Sequence, residues 1–112
     1  MAINKYSVVE SGNVSLGQAG CVFVDTATPV VAPTGSVFVA ITFLTDVTLD
    51  ASGGLIAEDS SQWANTEAAA SAGGSGGIEI DASNTFPKGV TIYGRWTEID
   101  LDSTGTLIAY LG

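Results

Sequence analysis

The chemistry open to this chain is set first by a residue type it lacks, because none of its 112 residues is histidine. Without imidazole there is no side chain that titrates near neutrality of its own accord. The commonest metal-ligating nitrogen and the usual Ser-His and Cys-His nucleophile pairs are missing as well. A single cysteine, Cys21, excludes an internal disulfide and any zinc site built from several thiolates. What remains is carboxylate chemistry, in which two acids either share a proton across a short gap or converge on a hard cation.

Two local patterns could serve such chemistry. Asp25-Thr26-Ala27, which follows the apolar stretch 21–24, resembles the Asp-Thr/Ser-Gly turn of aspartic proteases, including small ones that pair their aspartates by dimerising. Ala27 stands where that tight turn needs glycine, so Asp25 is read as a strand-end carboxylate that solvates a turn. Asp100-x-Asp102-x-Thr104-Gly105 spaces oxygen ligands like the opening of a calcium loop, but Leu111 occupies the position of the closing bidentate glutamate. The acidic outer face of a hairpin turn accounts for the same residues. The expectation is a protein with no catalytic residue, no metal and no cofactor, and therefore not an enzyme.

The remaining side chains with binding potential are aromatic or sit beside aromatics. Amphipathic rings concentrate binding energy at interfaces, and they also build cores. Trp96 falls in phase with Val90 and Ile92 and is assigned to the core. Tyr93 and Arg95 fall on the opposite face and are assigned to partner contact, as is Trp63. Residues 106–111 have no polar face, since Ile108 and Tyr110 alternate with Leu107, Ala109 and Leu111. Such a strand needs a neighbour on each side, either within its own fold or on a partner subunit, which adds Tyr110 and Leu111 to the candidate partner-interface residues. Asn13-Val14-Ser15 fits a glycosylation sequon with no secretory signal to support its use.

The elements that would position these residues are mostly strands, because apolar and polar residues alternate with period two in several places. Residues 78–81 and 98–102 show it, and so do residues 46–50, which the turn signal Ala51-Ser52-Gly53-Gly54 follows. Residues 36–44 are apolar on both faces and read as a central strand, while 21–24 make an earlier short one ahead of Pro29 and Pro33. Asp-Ser-Thr-Gly at 102–105 suits a tight reversal, which predicts a hairpin of 98–101 with 106–111 and, with 89–97 added, a three-strand meander. Residues 58–77 break the rhythm. Asp59 could cap a short helix through Gln62, Trp63, Glu67 and Ala68-Ala69-Ala70, or the segment is an ordered surface loop. Gly73-Gly74-Ser75-Gly76-Gly77 reads as a flexible part of a loop within one domain. The expected fold is a single all-β, mostly antiparallel domain over residues 1–112. It is a compact β-sandwich or barrel with a Gly/Ala-rich loop or short helix in the middle.

Composition says what such a domain would meet. Charged residues make up 13% of the chain, about half the share usual for soluble domains. Hydrophobic residues reach 46% and mean hydropathy is +0.37, so part of the apolar surface is expected to face another subunit. Twelve acidic residues against Lys5, Lys88 and Arg95 give a net charge of −9. That argues against nucleic acid and against an acidic membrane surface as partners. The start at Met1 has no basic, then apolar, signal pattern, and no stretch approaches about 18 consecutive apolar residues, so neither a signal peptide nor a membrane span is expected.

Ile92-Tyr93-Gly94-Arg95-Trp96, followed by Ile108-Ala109-Tyr110-Leu111-Gly112, makes the C-terminal run 89–112 resemble the ending of small virion structural proteins of tailed bacteriophages, notably marine ones. Residues 37–49 are similar to the central region of the same proteins, and residues 57–77 lie outside the resemblance. It implies a head decoration or cement protein on the outer capsid surface of the virion. Its partner would be the major capsid protein, and it would form a closed homo-oligomer with a trimer as the first choice. The alternative is a host-attachment knob or fibre module that binds cell-surface glycans through Trp63, Tyr93 or neighbouring aromatics.

Overall fold

The computed structural model describes residues 19–72 and 74–112. Met1, Lys5, Asn13-Val14-Ser15 and Gly73 lie outside the described residues. Eight strands follow in chain order: β1 (Cys21–Val24), β2 (Val30–Val31), β3 (Phe38–Phe43), β4 (Val47–Thr48), β5 (Leu55–Ala57), β6 (Thr85–Phe86), β7 (Thr91–Ile99) and β8 (Leu107–Leu111). All pairings among them are antiparallel, and among the described residues there is no helix. The fold is all-β, its sheets curling into a compact, nearly closed barrel.

The apolar stretch around β3 takes the central place its two-sided hydrophobicity demands, pairing with β7 along one edge and β8 along the other. β1 lies outside β8. On the far side, Ile99 pairs with both Val30 of β2 and Leu55 of β5, and Trp96 with both Phe38 of β3 and Ala57 of β5. A strand has only two edges, so β2 and β3 run along the same edge of β7 and β5 takes the other. The register shifts between Phe38 and Ala40. That irregularity lets Phe38 point inward together with Ile41 and Phe43, all three buried.

The inner face of this sheet is the core. Across it run the aligned residues Val22, Ala109, Ile41 and Ile92, and beside them Val24, Leu107 and Phe43. Trp96 is buried among them, as its phase in the sequence requires, and its indole N–H donates to the Ala64 carbonyl at 2.8 Å. The small sheet of β4 and β6 closes over the same core, with Phe43 stacked on Phe86 at a ring separation of 4.8 Å.

The expected C-terminal hairpin and meander do not form. Residues 91–99 are one continuous strand, and β3 lies between it and β8. The cause is Leu101, which is buried and bridges to Leu49 beside the small sheet; the adjoining backbone bonds run from Asp50 N to Asp100 O and from Asp102 N to Thr48 O. The chain leaves the main sheet to bury that leucine and returns as β8 on the far side of β3, with residues 102–105 as part of a longer connection.

The expected strand at 78–81 is also absent. Ile78 is 80% exposed, and only Ile80 packs on the core, with its N–H bonded to the Asn65 carbonyl. Residues 58–72 form an ordered loop in place of a helix. Gln62 and Trp63 N–H groups reach the Asp59 carbonyl for a single turn, and then Asn65 diverts the chain. Its side chain, fully buried, donates to Ser60 O and Trp63 O and accepts from the N–H groups of Glu67 and Ala68, each at 2.8 or 2.9 Å. Short polar side chains that bond the local backbone in this way compete with helix formation.

Thr66 then seals the edge of β5, its backbone N–H bonding to Leu55 O and its hydroxyl accepting from Leu55 N. Replacing Asn65 with alanine removes the acceptor of the Glu67 and Ala68 N–H groups and two donors to the loop carbonyls, and is expected to cost about 1–3 kcal/mol in urea unfolding, with faster amide exchange at Glu67 and Ala68. Gly94 faces the two tryptophans so closely that a Cβ there would lie 2.8 Å from the Trp96 ring and 3.0 Å from that of Trp63. Gly94→Ala is therefore expected to lower stability by about 1–3 kcal/mol in the same measurement.

Candidate functional site

Cross-strand neighbours in a sheet share a face, so the pairings of β1, β8, β3 and β7 also define the outer surface. One row reads Cys21, Tyr110, Ala40, Tyr93, and the next reads Phe23, Ile108, Thr42, Thr91. Three interstrand steps of about 4.8 Å make this face roughly 14 Å wide. None of the eight is an aspartate, glutamate, lysine or arginine. Phe23 is 61% and Tyr93 76% exposed, while Ala40 is reduced to 8% between two tyrosines. Thr42 and Thr91 satisfy each other with a hydroxyl–hydroxyl bond of 2.8 Å, which leaves the two hydroxyls of that row paired.

Of the residues assigned to partner contact, Tyr93 and Tyr110 meet on this face. Arg95 is two residues along β7 from Tyr93 and shares its side by strand alternation, but its guanidinium is engaged. Nε and Nη2 donate to the two carboxylate oxygens of Glu58 at 2.7 and 3.1 Å, a bidentate pair at the border of the face. Trp63 and Leu111 are half-buried and packed against the core, so their apolar surface serves the fold. Phe23, Cys21 and Ile108 belong to the face without having been singled out. Their alternation with Val22, Val24 and Ala109 marks an outer side, yet the sequence does not say which strands stand next to each other.

The acidic patterns are dispersed. Asp25 is exposed just past the end of β1, and Asp102 is exposed in the connection to β8. Asp100 is half-buried, with one carboxylate oxygen enclosed and lacking a hydrogen-bond partner among the described residues. Among the described residues no three His, Cys, Asp or Glu side chains are grouped to hold a metal ion.

The ion pair at the border has a predictable acid response. The hydrogen bond from Arg95 holds the Glu58 carboxyl below its ordinary pKa, against the opposing effect of desolvation. A depressed folded-state pKa adds stability that is present above the unfolded value, about 4.3 for glutamate, and is lost as pH falls through the folded value. Both partners are partly exposed, which limits the contribution to under about 1 kcal/mol. Arg95→Gln is expected to raise the Glu58 titration midpoint in a carboxyl NMR titration, and to cost stability at pH near 7 but not near pH 3.

Comparison with known proteins finds no matching family model, no matching curated protein and no matching solved structure.

Proposed function

We propose that this chain is a non-enzymatic virion structural protein of a tailed bacteriophage. In this reading it is a head decoration or cement protein that seats the uncharged face of its main sheet on the outer capsid surface and stabilises the shell. The observation that carries the reading is the face itself: two rows across four strands with no charged side chain, and with Phe23 and Tyr93 largely open to solvent. A contiguous apolar surface rimmed by polar groups is what a protein contact requires, and its aromatic content is what concentrates binding energy there.

Charge supports the same assignment. A net −9 keeps a protein with a neutral face soluble before assembly, and it is better tolerated outside a capsid than against packed DNA. The likeness of residues 37–49 and 89–112 to phage virion proteins adds to this, since those segments supply β3, β7 and β8, three of the four strands of the face. The partner is the major capsid protein. A homotrimer at threefold or quasi-threefold positions is the closed oligomer suited to it.

Particles with and without the protein, compared for survival of heat and osmotic shock, test the proposal. Decorated particles are expected to be the more resistant. Phe23→Asp and Tyr93→Asp are each expected to lower particle occupancy by about tenfold or more while leaving the circular dichroism of the free protein unchanged. Equal resistance of the two kinds of particle, with the protein found on a tail, would overturn it.

A further inference from the structure

We propose that the cleft at one end of the barrel is a binding site for a neutral saccharide, recognised through adjacent hydroxyl groups. It lies where the β3–β4 connection, the turn before β7 and the approach to β8 come together, and it has a volume of about 560 Å³. That is within the roughly 300–1,000 Å³ usual for small-molecule sites. The site is separate from the outer sheet face and does not depend on the capsid reading.

The walls are held by the backbone. Leu44 N–H bonds to Thr106 O at 2.9 Å, Thr106 N–H bonds to the Thr45 hydroxyl at 3.0 Å, and Lys88 N–H bonds to Asp46 Oδ1 at 2.9 Å. These bonds tie three separate chain segments together and hold the Thr45 and Asp46 side chains in place before any ligand arrives. Gly105, also lining the cleft, adds no side chain to fill it.

Four polar groups on the walls have no hydrogen-bond partner among the described residues: the Lys88 ammonium, Asp46 Oδ2, and the hydroxyls of Thr104 and Thr106. The ammonium offers only donors, the carboxylate oxygen only accepts, and each hydroxyl does both. An apolar ligand would bury the two charges without partners, which is costly. An anion could satisfy Lys88 but would face Asp46 in a chain of net charge −9. Adjacent hydroxyls of a sugar satisfy both at once, one donating to Asp46 while its neighbour accepts from Lys88. Leu44, at the border of the cleft and 36% exposed, offers an apolar patch for the C–H face of a ring.

The test is amide NMR titration of the intact protein with the methyl glycosides of glucose, mannose and galactose. Sodium acetate and sodium phosphate at matched ionic strength serve as anion controls. At least one glycoside is expected to give saturable shifts at Thr45, Asp46, Lys88 and residues 104–106, with a Kd of about 1–10 mM, as typical ligand efficiencies allow for roughly a dozen heavy atoms. Lys88→Met and Asp46→Asn should each weaken that binding about tenfold with thermal stability retained, the new asparagine keeping its bond to the Lys88 N–H. No saturable shift with any glycoside, shifts that persist in both variants, or binding of acetate or phosphate in place of the sugars would each overturn the proposal.

Discussion

Between β7 and β8 runs β3, hydrogen-bonded along both edges, and both faces of the main sheet follow from where it lies. Its inward residues Phe38, Ile41 and Phe43 bring together the buried side chains of β7 and β8, which do not touch each other as strands. Its outward residues Ala40 and Thr42 bring Tyr93 and Tyr110 into one row. The register shift between Phe38 and Ala40 allows this, because without it strict alternation would turn Phe38 away from the side of Ile41 and Phe43. The same strand thus sets the core on one side and an uncharged surface on the other.

The middle segment solves a different problem. β5 is short and would present an open edge, and an open edge invites pairing with other chains. Thr66 covers it by bonding both backbone groups of Leu55, and the buried amide of Asn65 holds Thr66 in place from the adjoining turn. Trp63 and Ile80, from the same segment, pack against the core. A loop rich in alanine and glycine is ordered here by a few fully satisfied polar groups and two apolar anchors. A helix in this place would have had to leave Leu55 unpaired.

Electrostatics in this chain is mainly a matter of where charge is absent. Of the two described cations, Arg95 is locked to Glu58 beside Tyr93, while Lys88 stands at the cleft with no ion-pair partner among the described residues. Removing charge from the outer sheet rows lowers the desolvation that any contact there would require. Keeping the acids at strand ends and in turns, as with Asp25, Asp59, Asp81 and Asp102, leaves them solvated. Asp59 and Asp81 each bond the backbone and hydroxyl of a serine two residues on, which lowers both carboxyl pKa values and ties up the turns.

The order of residues alone determined the all-β class, the central position of residues 38–43, the core role of Trp96 and the turn at 51–54. Each of these follows from side chains that alternate or cluster within a few positions, so local periodicity carries the information. Tertiary structure decided which strands are neighbours. The apparent hairpin at 98–111 was undone by the pull of Leu101 toward Leu49, a contact more than fifty positions away in the chain. In residues 58–81, the helical and strand-like patterns were overridden by Asn65, whose side chain bonds the backbone on both sides of it, and by Thr66, whose partner Leu55 is set by packing and not by spacing. The outer rows were illegible for the same reason. Phe23 and Tyr93 look unrelated along the chain and share a surface only because β8 and β3 stand between their strands, and strand order is fixed by the burial of the whole core at once.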